Sequence, residues 1–129
     1  MSIKNILLID DEEDFCFFVK RNLERSGGFA VQYTTDPEQG IKLAKDHAPD
    51  VILLDITMPK KDGLQVLAAL KKDKKTMEIP IIMLTAVEDE SAKLSAARYY
   101  SEEYIIKPIT FEMLQERIDD VLKRYGKDK

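Results

Sequence analysis

The sequence predicts an α/β domain in which a parallel sheet of five strands carries helices on both faces. Short apolar runs alternate strictly with longer segments of helical periodicity, the pattern of a parallel sheet with right-handed crossovers. The run Val51-Ile52-Leu53-Leu54 is apolar without interruption, as expected for a strand covered on both faces. Four of the runs end in polar or charged residues: Asp10-Asp11, Asp55, Thr85 and Lys107. Open parallel sheets bind their ligands beyond those carboxyl ends.

The first strand is Ile6-Leu7-Leu8-Ile9. A helix follows through Ser26, with Phe15, Phe18, Val19 and Leu23 as its expected core face, and Gly27-Gly28 stops it. Phe29 to Thr34 alternates as a strand. Thr35-Asp36-Pro37-Glu38 predicts a helix start, with a threonine cap, a glutamate three residues on and a proline in the first turn. That helix runs to about Lys45, and His47-Ala48-Pro49-Asp50 breaks it before the Val51–Leu54 strand. A loop from Met58 to Gly63 leads to a third helix ending near Lys72. Ile79 to Leu84 is the fourth strand, with Pro80 at its start, where a missing donor is tolerated. Glu88 to Arg98 is expected as a helix and Tyr104-Ile105-Ile106 as the fifth strand. Thr110 to Tyr125 closes the pattern with a stripe of Phe111, Leu114, Ile118, Val121, Leu122 and Tyr125.

Composition narrows the function. A chain of 129 residues has the length of one domain, and it buries enough surface to need no staple. A net charge of −4 argues against non-specific attraction to nucleic acid or anionic lipid. The single cysteine, Cys16, allows no internal disulfide and suits a reducing compartment. No apolar stretch approaches the ~20 residues that span a bilayer, and the N-terminus passes directly into strand and acids, unlike a secretory signal. The expectation is a cytoplasmic protein.

The chemistry lies at the strand ends. Asp10, Asp11 and Asp55 in one pocket would repel one another unless a cation neutralised them, and a hard ion with oxygen ligands, Mg²⁺, is the natural solution. Asp10 and Asp11 also suit a helix N-terminus without any ion. Asp55 is harder to explain that way, since a buried acid without a partner is expensive. Thr85 offers a hydroxyl to a phosphoryl oxygen, and Lys107 a point cation.

Leu7-Leu8-Ile9-Asp10-Asp11-Glu12, Leu53-Leu54-Asp55-Ile56-Thr57-Met58-Pro59 with Asp62-Gly63, Leu84-Thr85-Ala86 and Tyr104-Ile105-Ile106-Lys107-Pro108 resemble the receiver domain of two-component response regulators. The resemblance covers nearly the whole chain. It implies a flavodoxin-like (βα)5 sandwich with sheet order 2-1-3-4-5, occupying residues 1–125 and followed by a short basic tail at 126–129. It implies that Asp55 accepts a phosphoryl group from a phosphohistidine on a sensor histidine kinase or histidine phosphotransfer protein. Asp10, Asp11, Asp55 and the backbone carbonyl of Thr57 would hold Mg²⁺, with Asp10 acting through water or from behind. Thr85 and Lys107 would bind the phosphoryl group, and Tyr104 would follow Thr85 inward as a switch. The switched surface would be formed by the Glu88–Arg98 helix, the fifth strand and the last helix. Such a protein signals to a downstream protein target as a monomer or weak dimer, and catalyses only its own phosphorylation and dephosphorylation.

The chain departs from the usual receiver pattern before the switch aromatic. Tyr100 and Ser101, preceded by Tyr99, stand where a small pair is common, which implies a reshaped loop. By the resemblance, Thr57 and Val87 would flank the acceptor, and neither suits orienting an attacking water, so a persistent phospho-form is expected. Cys16 and Phe17 are expected on the outer side of the first helix as partner contacts. His47 and the run Lys71-Lys72-Asp73-Lys74-Lys75 are expected to be solvated. The alternatives are a phosphorylation-independent receiver-like binding module, and a flavodoxin-like cofactor binder. The second would need a phosphate-cradling loop where Asp10-Asp11-Glu12-Glu13-Asp14 stands, and acids repel a phosphate without metal.

Overall fold

The computed structural model describes residues 2–56, 63–85 and 101–128. Within them run β1 (Lys4–Ile9), α1 (Glu13–Ser26), β2 (Phe29–Thr34), α2 (Pro37–His47), β3 (Val51–Asp55), α3 (Gly63–Lys72), β4 (Ile81–Thr85), β5 (Glu103–Ile106) and α4 (Phe111–Arg124). The five strands form one parallel sheet, as the sequence predicts, in the order β2-β1-β3-β4-β5 that the resemblance implies. The expected helix over Glu88–Arg98 lies outside the described residues.

Alternation along the strands divides the core in two. Leu7, Ile9, Ile52, Leu54, Ile81 and Met83 face α2 and α3 on one side. Ile6, Leu8, Val51, Leu53, Ile82, Leu84 and Ile105 face α1 and α4 on the other. Successive strand side chains point to opposite faces, so a run buried on both must be apolar throughout. Every residue of β3 and β4 is buried.

Two helices differ from the sequence reading. The cap of α2 is Asp36, whose Oδ1 accepts the Glu38 N–H at 3.1 Å, not Thr35. Pro37 takes the first helical position, which leaves the residue before it as the cap. On α1 the buried residues are Cys16, Val19 and Leu23, while Phe18 is exposed. Two apolar stripes overlap on this helix, one residue out of phase, and the small cysteine is the one that meets the sheet. Thr110 caps α4, accepting the Met113 N–H at 3.2 Å.

Candidate functional site

The sheet order sets the strand ends side by side. Asp10 directly follows β1, and its N–H still reaches Thr34 O of β2 at 3.2 Å. Asp55 ends β3, and the next N–H, of Ile56, bonds Leu84 O at 2.9 Å. Thr85 ends β4, and its carbonyl accepts the Lys107 N–H at 2.6 Å. The backbone ladder thus carries the pattern one residue beyond the strands and fixes where their side chains begin.

Carboxylate oxygens of Asp10, Asp11 and Asp55 all lie within 4.8 Å of one another. Asp10 and Asp55 are buried and Asp11 is exposed. Thr85 is fully buried beside them in the sheet. Lys107 Nζ donates to Asp10 Oδ2 and to Glu12 Oε1, each at 2.8 Å, and sits 4.3 Å from the centre of the Phe15 ring. The other Asp10 oxygen, Oδ1, accepts the Glu12 N–H at 2.9 Å. Burial pushes the Asp10 carboxyl above its usual range, against the pull of the Lys107 hydrogen bond. For Lys107, burial favours the neutral amine, but the hydrogen bonds to Asp10 and Glu12 outweigh it and hold the ammonium above its ordinary value. Lys107 therefore faces both Asp10 and Glu12. The donors of the Asp10, Asp11 and Asp55 cluster are all oxygen and Asp11 opens to solvent, a set that fits a hard divalent cation.

The backbone approach to Asp55 is unusually close on the α3 side. A Cβ built on Gly63 would lie 2.4 Å from both Asp55 O and Ile56 Cα, and the Gly63 N–H bonds Ile56 O at 2.9 Å. Only glycine allows α3 to begin this near β3.

Cys16 is corrected by the structure: it is 0% exposed, not a surface contact, and its Sγ donates to Asp10 O at 3.4 Å. Burial pushes its thiol up to about 12. Phe17 does stand on the surface, 56% exposed. Tyr104 is half-buried against the α2–α3 side of the core. Lys71 is half-buried as well, with Nζ on Met77 O at 3.4 Å and Ile79 O at 3.3 Å, whereas the other lysines of that run are exposed. His47 is exposed at the end of α2. Thr57, Val87, Tyr99 and Tyr100 lie outside the described residues. Sequence reasoning missed Glu12 and Phe15 as partners of Lys107; the acidic run after β1 was the available signal for the first.

Residues 6–119 match the family described as the response regulator receiver domain. The chain belongs to that family. It is 36% identical over 121 residues to the alkaline phosphatase synthesis transcriptional regulatory protein PhoP of Bacillus subtilis, covering 94% of this chain and 49% of that protein. The chain spans about half the length of PhoP and of five other curated relatives it matches. Protein PilH of Pseudomonas aeruginosa is 34% identical, over 91% of this chain and 96% of PilH. Among solved structures, a CheY-like receiver domain protein from Methanospirillum hungatei superimposes with a TM-score of 0.87 at 25% identity, covering 99% of this chain and 100% of that one. A receiver is a signalling module of two-component systems. Among the described residues, no helix is long and apolar enough to cross a membrane.

Proposed function

We propose that this receiver takes a phosphoryl group from a partner phosphohistidine onto Asp55, as a step of a two-component or phosphorelay pathway. The observation that carries this reading is the convergence of three carboxylates within 4.8 Å, next to an ammonium 2.8 Å from one of them. An Asp55 oxygen attacks phosphorus, the P–N bond breaks, and the histidine leaves with its electron pair. Such a transfer through a loose transition state needs positioning and charge neutralisation more than a general base. Lys107 supplies a point cation to the phosphoryl oxygens, and the Thr85 hydroxyl donates to one of them. Asp10, Asp11, Asp55 and the Thr57 carbonyl would hold Mg²⁺, which would neutralise the acids and the phosphoryl charge. Asp10 is already committed to Lys107 and the Glu12 N–H, so it serves through water or from behind.

The product concentrates negative charge and acceptor oxygens at one point. Thr85 turns toward it, Tyr104 follows, and the surface around β5 and α4 changes for a downstream protein target. Phe17, exposed on the helix that starts at the site, is the contact for the phosphodonor. The receiver works in the cytoplasm as a monomer or weak dimer, through protein contacts rather than nucleic acid or membrane. Residues 1–125 form the domain and 126–129 its basic tail. Its catalysis stops at its own phosphorylation and dephosphorylation.

The test is incubation with a small-molecule phosphodonor, with and without Mg²⁺, read by intact mass for wild type and Asp55→Asn. A metal-dependent gain of one phosphoryl group that the variant lacks is expected. No gain in a folded protein that binds Mg²⁺ would sink the reading in favour of the phosphorylation-independent module.

A further inference from the structure

Glu12 occupies the N-cap position of α1, where a short polar side chain ordinarily accepts a backbone N–H of its own helix. Its side chain makes no such bond. It turns instead to Lys107, with Oε1 2.8 Å from Nζ, and its own N–H is pinned by Asp10 Oδ1 at 2.9 Å. The two acids on this ammonium are not equivalent. Asp10 is fully buried, so losing Lys107 would leave its charge in a poor environment. The Glu12 side chain is 59% exposed against 9% for Lys107, so water replaces its partner at little cost.

We propose that Glu12 is a releasable counter-ion, occupying Lys107 in the unphosphorylated receiver and displaced when phosphoryl oxygens arrive. The proposal rests on the reading of Asp55 as acceptor. An ammonium has three donor hydrogens, and here two carboxylates and an aromatic ring already crowd it. A phosphoryl group offers more negative charge than an exposed carboxylate and outcompetes it. Glu12 also adds negative potential to the space the group must enter. Both effects act on how tightly the phosphoryl group is held, not on the attack by Asp55, which makes Glu12 a positioning residue. Asp10 remains on Lys107 throughout and keeps it at the sheet edge.

Glu12→Gln keeps the size and removes the charge. In metal-free buffer, the Lys107 ammonium protons, followed by ¹⁵N NMR, are expected to exchange with water about two to five times faster in the variant. With Mg²⁺ present, the beryllium trifluoride anion, a phosphoryl mimic, is expected to bind the variant tighter by about the same factor. Unchanged Lys107 exchange overturns the proposal, and so does mimic affinity that is equal or weaker in the variant. A wild-type protein that binds no mimic at all defeats the phosphoacceptor reading and this proposal together. In that case the exchange rate still shows whether the Glu12–Lys107 contact exists in solution.

Discussion

Single side chains in this receiver work where they meet a backbone group or a partner from a distant segment. Glu24 and Lys20 illustrate it on the edge strand β2: Glu24 Oε2 accepts the Val31 N–H at 2.9 Å, and Lys20 Nζ donates to Val31 O at 2.6 Å. The pair, itself 3.0 Å apart, covers a ladder position that would otherwise be open to strand addition. The Val31 N–H and then Lys20 hold the Glu24 carboxyl below its ordinary value of 4.5. A depressed acid stabilises the fold above its unfolded pKa and loses that contribution as pH falls through the folded one. Glu24→Gln is therefore expected to cost about 0.5–1 kcal/mol near neutrality, with the difference from wild type vanishing in acid. Urea unfolding of both proteins across that range checks it. Phe17→Ala should leave stability within about 0.5 kcal/mol of wild type, while slowing phosphotransfer from the cognate donor. Equal transfer rates would remove Phe17 from the docking surface.

At the scale of elements, two glycines let helices approach the sheet, and they differ in what stands opposite. A Cβ at Gly40 on α2 would press 2.6 Å from Ile9 Cδ1, the far end of a flexible side chain. A Cβ at Gly63 would press 2.4 Å from the backbone of Asp55 and Ile56, which cannot rotate away. Overpacking typically costs about 1–3 kcal/mol, and the order expected is Gly63→Ala worse than Gly40→Ala. Chemical denaturation gives the ranking, and a reversed order would mean that the start of α3 yields more readily than the α2–β1 contact. Because Gly63 borders the Asp55 backbone, its alanine variant should also slow the proposed phosphoryl uptake, whereas Gly40→Ala should not. The last helix is secured separately, through Arg117 to Glu103 of β5 at 3.1 Å and through Tyr125 to Glu102.

At the scale of the whole molecule, the sheet concentrates acids at one end and leaves their mutual repulsion as a standing cost of the fold. A cation that binds there stabilises the folded state by mass action. At a hundred times its dissociation constant, Mg²⁺ is expected to add about 2.7 kcal/mol, seen as a rise in Tm that Asp55→Asn reduces. A Tm indifferent to Mg²⁺ in the wild type would count against a metal site at these carboxylates. The two halves of the core flank the same strands, so any shift at the site's buried residues is felt by helices on both faces.

The order of the described elements, the parallel sheet and the strand-end positions of Asp10, Asp55, Thr85 and Lys107 were legible in the sequence. Strands buried on both faces show as unbroken apolar runs, and a polar residue that ends one is conspicuous against them. The phase of α1 was not legible, because Phe15, Cys16, Phe17, Phe18 and Val19 are all apolar and periodicity alone cannot say which of two overlapping stripes meets the sheet. Packing into the core on one face of the sheet chose Cys16 and left Phe17 and Phe18 outside. Nor could local pattern join Glu12 to Lys107, 95 positions apart in the chain. Lys71 carried the look of a solvated charge run until the turn before β4 brought two carbonyls to its ammonium. Sequence determined what each segment is, since local periodicity and turn chemistry act over a few residues. Tertiary structure decided which side chains meet, because those contacts exist only once the sheet has brought distant strand ends together.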